Sequence, residues 1–197
     1  MKRIYYILFS LIFVGFSCQK SKTNDTVLSF HCIDGSGDAT QGTHVLVYSN
    51  SGDFQNNTNI ADSGTTDANG NISFTGVNAQ KYYFICLNIS NCLYNFGAQA
   101  TNGSISANET NTVTVVITPY GKLTVTNTSA AKNPYEIKLN GQVWLSSLVY
   151  GSSYLHIMPL GNCTVEAIQL SGYVSTPTDS TYTELISQCQ TTTLNIP

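Results

Sequence analysis

Hydrophobic and polar residues alternate with a period of two along most of this chain, and helical periodicity is almost absent. The alternating segments are rich in β-branched and aromatic residues, and Gly, Asn and Asp clusters bound them. They cover residues 27–33, 44–48, 71–77, 81–89, 111–118, 122–127, 135–141, 142–150, 154–159, 163–170, 181–187 and 190–197. In residues 135–139, for example, Tyr135, Ile137 and Leu139 fall on one face, and Glu136 and Lys138 fall on the other. The pattern predicts an all-β protein.

The strand pattern divides into two sets at Pro119-Tyr120-Gly121, which interrupts the alternation. Each set is long enough to enclose one small core. We therefore predict two tandem small β-sandwich domains, 27–119 and 120–197. Residues 19–26 are polar and predict a short tether.

The N-terminal residues 1–18 have the pattern of an export signal. Lys2 and Arg3 precede an apolar run that is too short to span a bilayer comfortably. Cys18 follows Ser17 at the cleavage point and resembles the lipobox of bacterial lipoproteins, although Gly15 stands where that motif usually has Leu. The resemblance implies a cleaved signal peptide, lipid on Cys18, and a cell-envelope protein at the outer membrane or cell surface of a bacterium. Ordinary signal-peptidase cleavage and plain secretion are the alternative.

The composition and net charge of the chain argue against nucleic acid and anionic membrane surfaces as binding partners. Charged residues make up 10% of the chain and hydrophobic residues 42%. Once Lys2 and Arg3 are removed, six lysines remain against eleven acidic residues, which gives a net charge of −5 and leaves no arginine. Such a chain has no electrostatic footprint for nucleic acid. Its contact with a membrane is expected through the lipid anchor alone.

Six cysteines in an exported chain predict disulfides. Cys163 and Cys189 lie in two strand-like segments, and we predict that they form a pair. Cys86 has two alternatives that the sequence leaves open, Cys32 on a neighbouring strand or Cys92 across a short loop. No cysteine or histidine spacing indicates a zinc site, and we expect no metal and no cofactor.

The middle of the first domain resembles a known family. The segment Gly64–Val77, GTTDANGNISFTGV, followed by Lys81-Tyr82-Tyr83-Phe84, is similar to the hairpin of prealbumin-like sandwich domains. That group includes carboxypeptidase regulatory-like and Cna B-type repeats. Within this segment we expect the Asp67 carboxylate to accept hydrogen bonds from the backbone of the turn. The lysine that forms an isopeptide bond in Gram-positive repeats has no counterpart, because His31 and Cys32 occupy that strand, so no such crosslink is expected.

The second domain resembles the PEGA-type β-domains of bacterial surface lipoproteins. The resemblance lies in Gly121–Val125, Glu136–Gly141, Pro159-Leu160-Gly161 and Ser171-Gly172-Tyr173. It implies an extracellular spacer or binding module without catalysis.

Catalytic chemistry has no support in the sequence. There is no G-x-S-x-G motif, and His31 and Cys32 are strand neighbours that point to opposite faces. Asp34, Ser36 and Asp38 have the spacing of a calcium loop without its glycine and distal glutamate, so a turn stabilised by Asp34 is the simpler interpretation.

Trp144 is the one named candidate for a binding surface. If Val143 and Leu145 face the core, alternation exposes Trp144, although a sandwich also commonly buries one large aromatic. The sequence therefore favours a non-enzymatic envelope lipoprotein that acts as a spacer or binds a protein or glycan partner. The alternative is an accessory subunit of a surface assembly, a pilus or an uptake complex, that exchanges a strand with its neighbour, for which the uncharged C-terminal strand is a candidate donor.

Overall fold

The computed structural model describes residues 24–131, 133–170 and 179–197, and it is an all-β structure, as predicted. The predicted signal peptide, Cys18, most of the tether and Ser171-Gly172-Tyr173 lie outside these residues. Seven strands form a first module. They are β1 (Val27–Ile33), β2 (His44–Tyr48), β3 (Asp62–Thr65), β4 (Asn71–Thr75), β5 (Tyr83–Asn88), β6 (Leu93–Tyr94) and β7 (Thr110–Val116), with one short helix, α1 (Ser51–Asn56), between β2 and β3.

Seven further strands form a second module. They are β8 (Thr118–Asn127), β9 (Tyr135–Leu139), β10 (Gln142–Leu148), β11 (Ser153–Pro159), β12 (Gly161–Gln169), β13 (Asp179–Ile186) and β14 (Thr191–Ile196). One sheet of the first module has the order β4-β1-β7, and one sheet of the second has the order β11-β8-β14. The second module's other layer is the sheet β10-β9-β12-β13. The first module's other layer, β3-β2-β5-β6, continues through the pairing of β6 with β8 into β11-β8-β14, so these seven strands form one sheet. The two modules therefore repeat one strand topology, although the sequence resembled two different families.

In each module the first and last strands are parallel neighbours. β1 pairs with β7 from Val27↔Thr110 to Ile33↔Val116, and β8 pairs with β14 from Lys122↔Thr191 to Asn127↔Ile196. The last strand therefore closes the sheet that the first strand begins. Because Leu194 and Ile196 of β14 are buried in the second core, the C-terminal strand is an internal strand of this chain.

The strand β8 belongs to both modules. Its first residues pair with β6, at Leu93↔Pro119 and Tyr94↔Thr118, and the rest pairs with β11 and β14. The predicted interruption at Pro119-Tyr120-Gly121 is therefore wrong, since these residues lie inside one strand. Gly121 is required there because a Cβ would lie 2.3 Å from the backbone oxygen of Ser187.

Each module encloses its own hydrophobic core. The first core includes Leu28, Phe30, Phe74 and Phe84, and the Phe30 ring contacts the rings of Phe74 and Phe84 edge to face. The predicted inward face of β9 is confirmed, because Tyr135, Ile137 and Leu139 are buried in the second core. On the opposite face, Lys138 Nζ lies 3.8 Å from Glu136 Oε1 in an ion pair.

The segment predicted as a hairpin is a turn between two sheets. β3 pairs with β2, whereas β4 pairs with β1, so the strands on either side of Gly70 do not pair with each other as a hairpin. Asp67 accepts hydrogen bonds from the backbone N–H groups of Asn69 and Asn71, as predicted. Gly70 alone in this turn has a positive φ, of 73°, and a Cβ there would lie 2.4 Å from the backbone oxygen of Cys32.

The predicted disulfide Cys163–Cys189 is wrong. Cys189 is bonded to Cys92 with a Cα–Cα distance of 5.4 Å, and Cys163 is a buried free thiol. The two cysteines cannot pair because they lie in different surroundings. Cys163 points from β12 into the second core, whereas Cys189 lies in the exposed turn between β13 and β14 beside the first module. The bond and the hydrogen bond from Gln188 Nε2 to the Asn91 oxygen join the modules.

Candidate ligand cleft between the two modules

The first module contributes an aromatic wall to an open cleft at the junction of the modules. Tyr94 in β6 and Phe96 directly after it are half-buried, with ring centroids 4.9 Å apart in an edge-to-face contact. Gln99 Nε2 donates hydrogen bonds to the Tyr94 hydroxyl and to the Asn95 carbonyl oxygen, each at 3.2 Å. Burial raises the pKa of the Tyr94 hydroxyl, so this hydroxyl stays protonated and able to donate a hydrogen bond.

The second module contributes Trp144 through an irregularity in β10. Val143 pairs with Lys138 and Leu145 with Ile137, which leaves Trp144 as an extra residue opposite the β9 strand. This β-bulge breaks the alternation of inward-facing and outward-facing residues from which the exposure of Trp144 was inferred. Val143 is 56% exposed, so the condition under which alternation would expose Trp144, with Val143 facing the core, is not met; Trp144 and Leu145 are both half-buried against the second core.

Trp144 therefore combines the two roles that the sequence left as alternatives. One part of its side chain packs against the second core, and the residue also lines the cleft beside His156 of β11. The two rings are tilted, with centroids 5.1 Å apart. His156 is exposed to solvent overall, yet the groups packed around its ring partly desolvate it and lower its pKa. At neutral pH the imidazole is therefore uncharged.

The cleft consists of two adjoining spaces of about 310 and 790 Å³ that share Phe96, His156 and Ile157. The smaller space is bounded by β10 and β11, and the larger one also reaches α1 of the first module. The lining carries five amide side chains, those of Gln55, Asn57, Gln99, Asn140 and Gln142. Among the described residues that line it, none is Asp, Glu, Lys or Arg. The cleft is thus aromatic and rich in amides, without formal charge.

Asn57 is positioned in this lining by the helix that precedes it. It caps α1 in the left-handed conformation, with φ 50°, and its side-chain oxygen accepts a hydrogen bond from the hydroxyl of buried Tyr48. The helix itself is held because Phe54 contacts Tyr48 and stacks on Tyr83. One end of the cleft is therefore fixed to the outer face of the β2–β5 sheet.

The other residues considered in the sequence do not join this cleft. The Asp34 carboxylate accepts hydrogen bonds from the backbone of Ser36 and Asp38, which is the predicted turn. The His31 ring bonds to Asn71 on the exposed face of β1. Within residues 24–131, 133–170 and 179–197, no group of three or more His, Cys, Asp or Glu side chains is arranged to hold a metal ion. No helix in these ranges has the length and apolar character needed to cross a membrane.

Sequence reasoning found one wall of the cleft and missed the other. Tyr94 ends the two-residue strand β6 and Phe96 lies just beyond it, and a strand of two residues is too short to produce an alternating pattern. Their role depends on the pairing of β6 with β8, which brings the first module against β10 and β11. The only sequence signal was the local density of aromatic residues and Gln/Asn around residues 94–99.

No protein-family model and no curated protein matches this sequence. Among solved structures, the Bacillus anthracis TIE protein is similar at 17% identity and a TM-score of 0.40, over 88% of this chain and 34% of that one. A streptococcal ancillary pilin is similar at 14% identity and a TM-score of 0.40, over 89% of this chain and 63% of that one. The shaft pilin SpaA from Lactobacillus rhamnosus GG is similar at 12% identity and a TM-score of 0.34, over 88% of this chain and 97% of that one.

The chain thus spans about a third of the TIE protein and under two thirds of the ancillary pilin. At these identities and TM-scores, no partner or activity of those proteins is carried over to this chain.

Proposed function

We propose that this chain is a non-enzymatic binding protein of the bacterial cell envelope, tethered through lipid on Cys18, that holds a neutral glycan in the cleft between its two modules. The observation that carries the proposal is the composition of the cleft. Aromatic rings come from both modules, Tyr94 and Phe96 from one and Trp144 and His156 from the other. Amide side chains surround them, and the described lining residues carry no formal charge.

The chemistry of this lining favours a sugar over a charged ligand. Aromatic faces provide flat apolar contact area, against which the C–H faces of a pyranose ring can pack. Amide groups both donate and accept hydrogen bonds, as sugar hydroxyls do. A phosphate, carboxylate or polycation would enter the cleft without a charged partner and would lose its hydration.

Two features support the proposed location in the cell envelope, the N-terminal export signal and the disulfide. The export signal and lipobox-like Cys18 lie outside the described residues and support the anchor by sequence alone. The bonded pair Cys92–Cys189 includes an exposed cysteine, and such bonds persist in oxidising compartments. A lipid anchor followed by a short polar tether would hold the cleft close to the membrane surface.

The test is an array of neutral and acidic oligosaccharides probed with the soluble Cys18→Ala chain, followed by calorimetric titration of each sugar that binds. We expect binding to neutral sugars, and we expect Trp144→Ala and Phe96→Ala each to weaken it about tenfold or more, which is about 1.4 kcal/mol. Tyr150→Ala is the matched control, because Tyr150 is 56% exposed and lies outside the cleft lining.

Two outcomes would contradict the glycan proposal. One is an array without any bound neutral sugar. The other is a bound sugar whose affinity falls as much with Tyr150→Ala as with Trp144→Ala. Circular dichroism of each variant must first show that the fold is kept, since Trp144 also packs against the second core.

A second candidate function, a subunit of a surface assembly, is favoured by the edge strand β11. Among the described strands it pairs only with β8, so its other edge is free. Tyr154 and Leu155 are 44% and 56% exposed, and Ser153–Pro159 contains no charged residue of the kind that usually protects an edge. A partner strand could add here by β-augmentation.

The strand-addition candidate has its own readout. Leu155→Lys places a charge on the free edge and should abolish any concentration-dependent association seen by analytical ultracentrifugation. Leu185→Lys, at a residue 63% exposed on β13, is the control. A chain that remains monomeric at millimolar concentration, with no strand-donating partner recovered from envelope extracts by crosslinking at residue 155, would exclude this candidate.

A further inference from the structure

The first core contains two cysteines that face each other across the sandwich. Cys32 lies on β1 in one sheet and Cys86 on β5 in the other, and both are fully buried free thiols. The two side chains lie close enough in this core for each to perturb the other's pKa, lowering that of Cys32 and raising that of Cys86. We propose that Cys32 and Cys86 form a second disulfide bond, which covalently links the two sheets of the first module.

The register of the inward-facing residues supports this pairing independently. One pair earlier on the same two strands, Phe30 and Phe84 are in edge-to-face contact with ring centroids 5.0 Å apart. Inward-facing side chains recur every second residue along a strand. Cys32 and Cys86 each follow that contact by two residues on the inward face of their strand, and an inter-sheet disulfide has the length to join facing positions in a sandwich.

Backbone contacts hold both cysteines in this orientation. The Cys32 N–H donates to the Gly70 oxygen at 2.8 Å, and the Cys32 oxygen accepts from the N–H and hydroxyl of Thr40. The Cys86 N–H donates to the side-chain oxygen of buried Asn95 at 2.8 Å. Little motion of either strand is available that would separate the two sulfurs.

The bond would form by thiol–disulfide exchange with a protein disulfide donor of the envelope, before the two sheets close. The Cys32 thiolate attacks the donor's disulfide and gives a mixed disulfide, and the Cys86 thiolate then displaces the donor's sulfur. One S–S bond forms within the chain and one breaks in the donor. The two electrons and the two thiol protons pass to the donor, which leaves as a dithiol.

The experiment counts thiols in the Cys18→Ala chain after export through an oxidising envelope. The unreduced protein is unfolded in guanidinium, alkylated and measured by mass spectrometry, then digested without reduction. The proposal expects one alkylated cysteine, Cys163, and a linked peptide pair that contains Cys32 and Cys86. Three alkylated cysteines, or either sulfur bonded to another partner, would overturn it.

Two further measurements keep the test decisive if a variant folds poorly. Cys32→Ala and Cys86→Ala should each raise the alkylation count from one to two by releasing the opposite thiol, whereas Val115→Ala in the same core should leave it at one. In the folded wild type, mild reductant should open the bond at exposed Cys189 and leave the buried pair intact. A folded protein that yields free Cys32 and Cys86 under that treatment would contradict the proposal.

Discussion

The disulfide Cys92–Cys189 is predicted to be the largest single covalent contribution to the stability of the second module. The perturbation is the double replacement Cys92→Ser/Cys189→Ser. The bond joins residues separated by 97 positions, and these positions include most of the second module. In the chain-entropy model, closing a loop of that length lowers the entropy of the unfolded chain, which raises its free energy by about 4.7 kcal/mol at 25 °C. Measured losses for native disulfides are commonly about 2–5 kcal/mol.

Guanidinium unfolding followed by tryptophan fluorescence measures this effect directly. Trp144 is the only tryptophan in the chain and lies in the second module, so its signal follows the module that the bond constrains. We expect the free energy of unfolding to fall by about 2–5 kcal/mol in the double serine variant. Wild-type protein treated with mild reductant should follow the curve of that variant.

Cys163→Ala is the matched control. It removes a buried thiol from the second core, so it lowers stability through packing, but its curve should still shift on addition of reductant. The reasoning would be refuted by a double serine variant within about 1 kcal/mol of wild type, or by a wild-type curve that reductant leaves unchanged.

Three further predictions follow from single residues. Gly121→Ala should lower the free energy of unfolding by about 1–3 kcal/mol in the same fluorescence assay, because the new methyl group meets backbone, whereas Gly97→Ala, which meets open space, should change it by less than about 0.5 kcal/mol. His156 should titrate in NMR spectra with its pKa below the usual value of about 6.5, and Trp144→Ala should move that pKa upward because it removes a desolvating neighbour; an unchanged pKa would contradict the packing described. Cys18→Ala should release the protein from the membrane fraction, and a fatty-acid analogue should label only the wild type; an unlabelled wild-type protein in the medium would exclude the anchor.

The sequence by itself determined the class of the fold and the position of most strands. Periodicity located β1 and β2 to the residue, and it found the inward face of β9, because local alternation reflects burial on one face of a sheet. It also determined the Asp67 turn, since a short carboxylate that caps nearby backbone N–H groups acts within a few residues.

Only the tertiary structure decided how these elements are joined. Cys189 pairs with Cys92 because the turn after β13 lies beside the first module, a proximity between residues 97 positions apart that no local pattern encodes. Trp144 lines the cleft because a β-bulge shifts β10 by one residue, and bulges break the alternation used to assign faces. The opposite wall at Tyr94 and Phe96 exists because the short strand β6 pairs with the strand that both modules share, so the candidate binding site arises from contacts between modules.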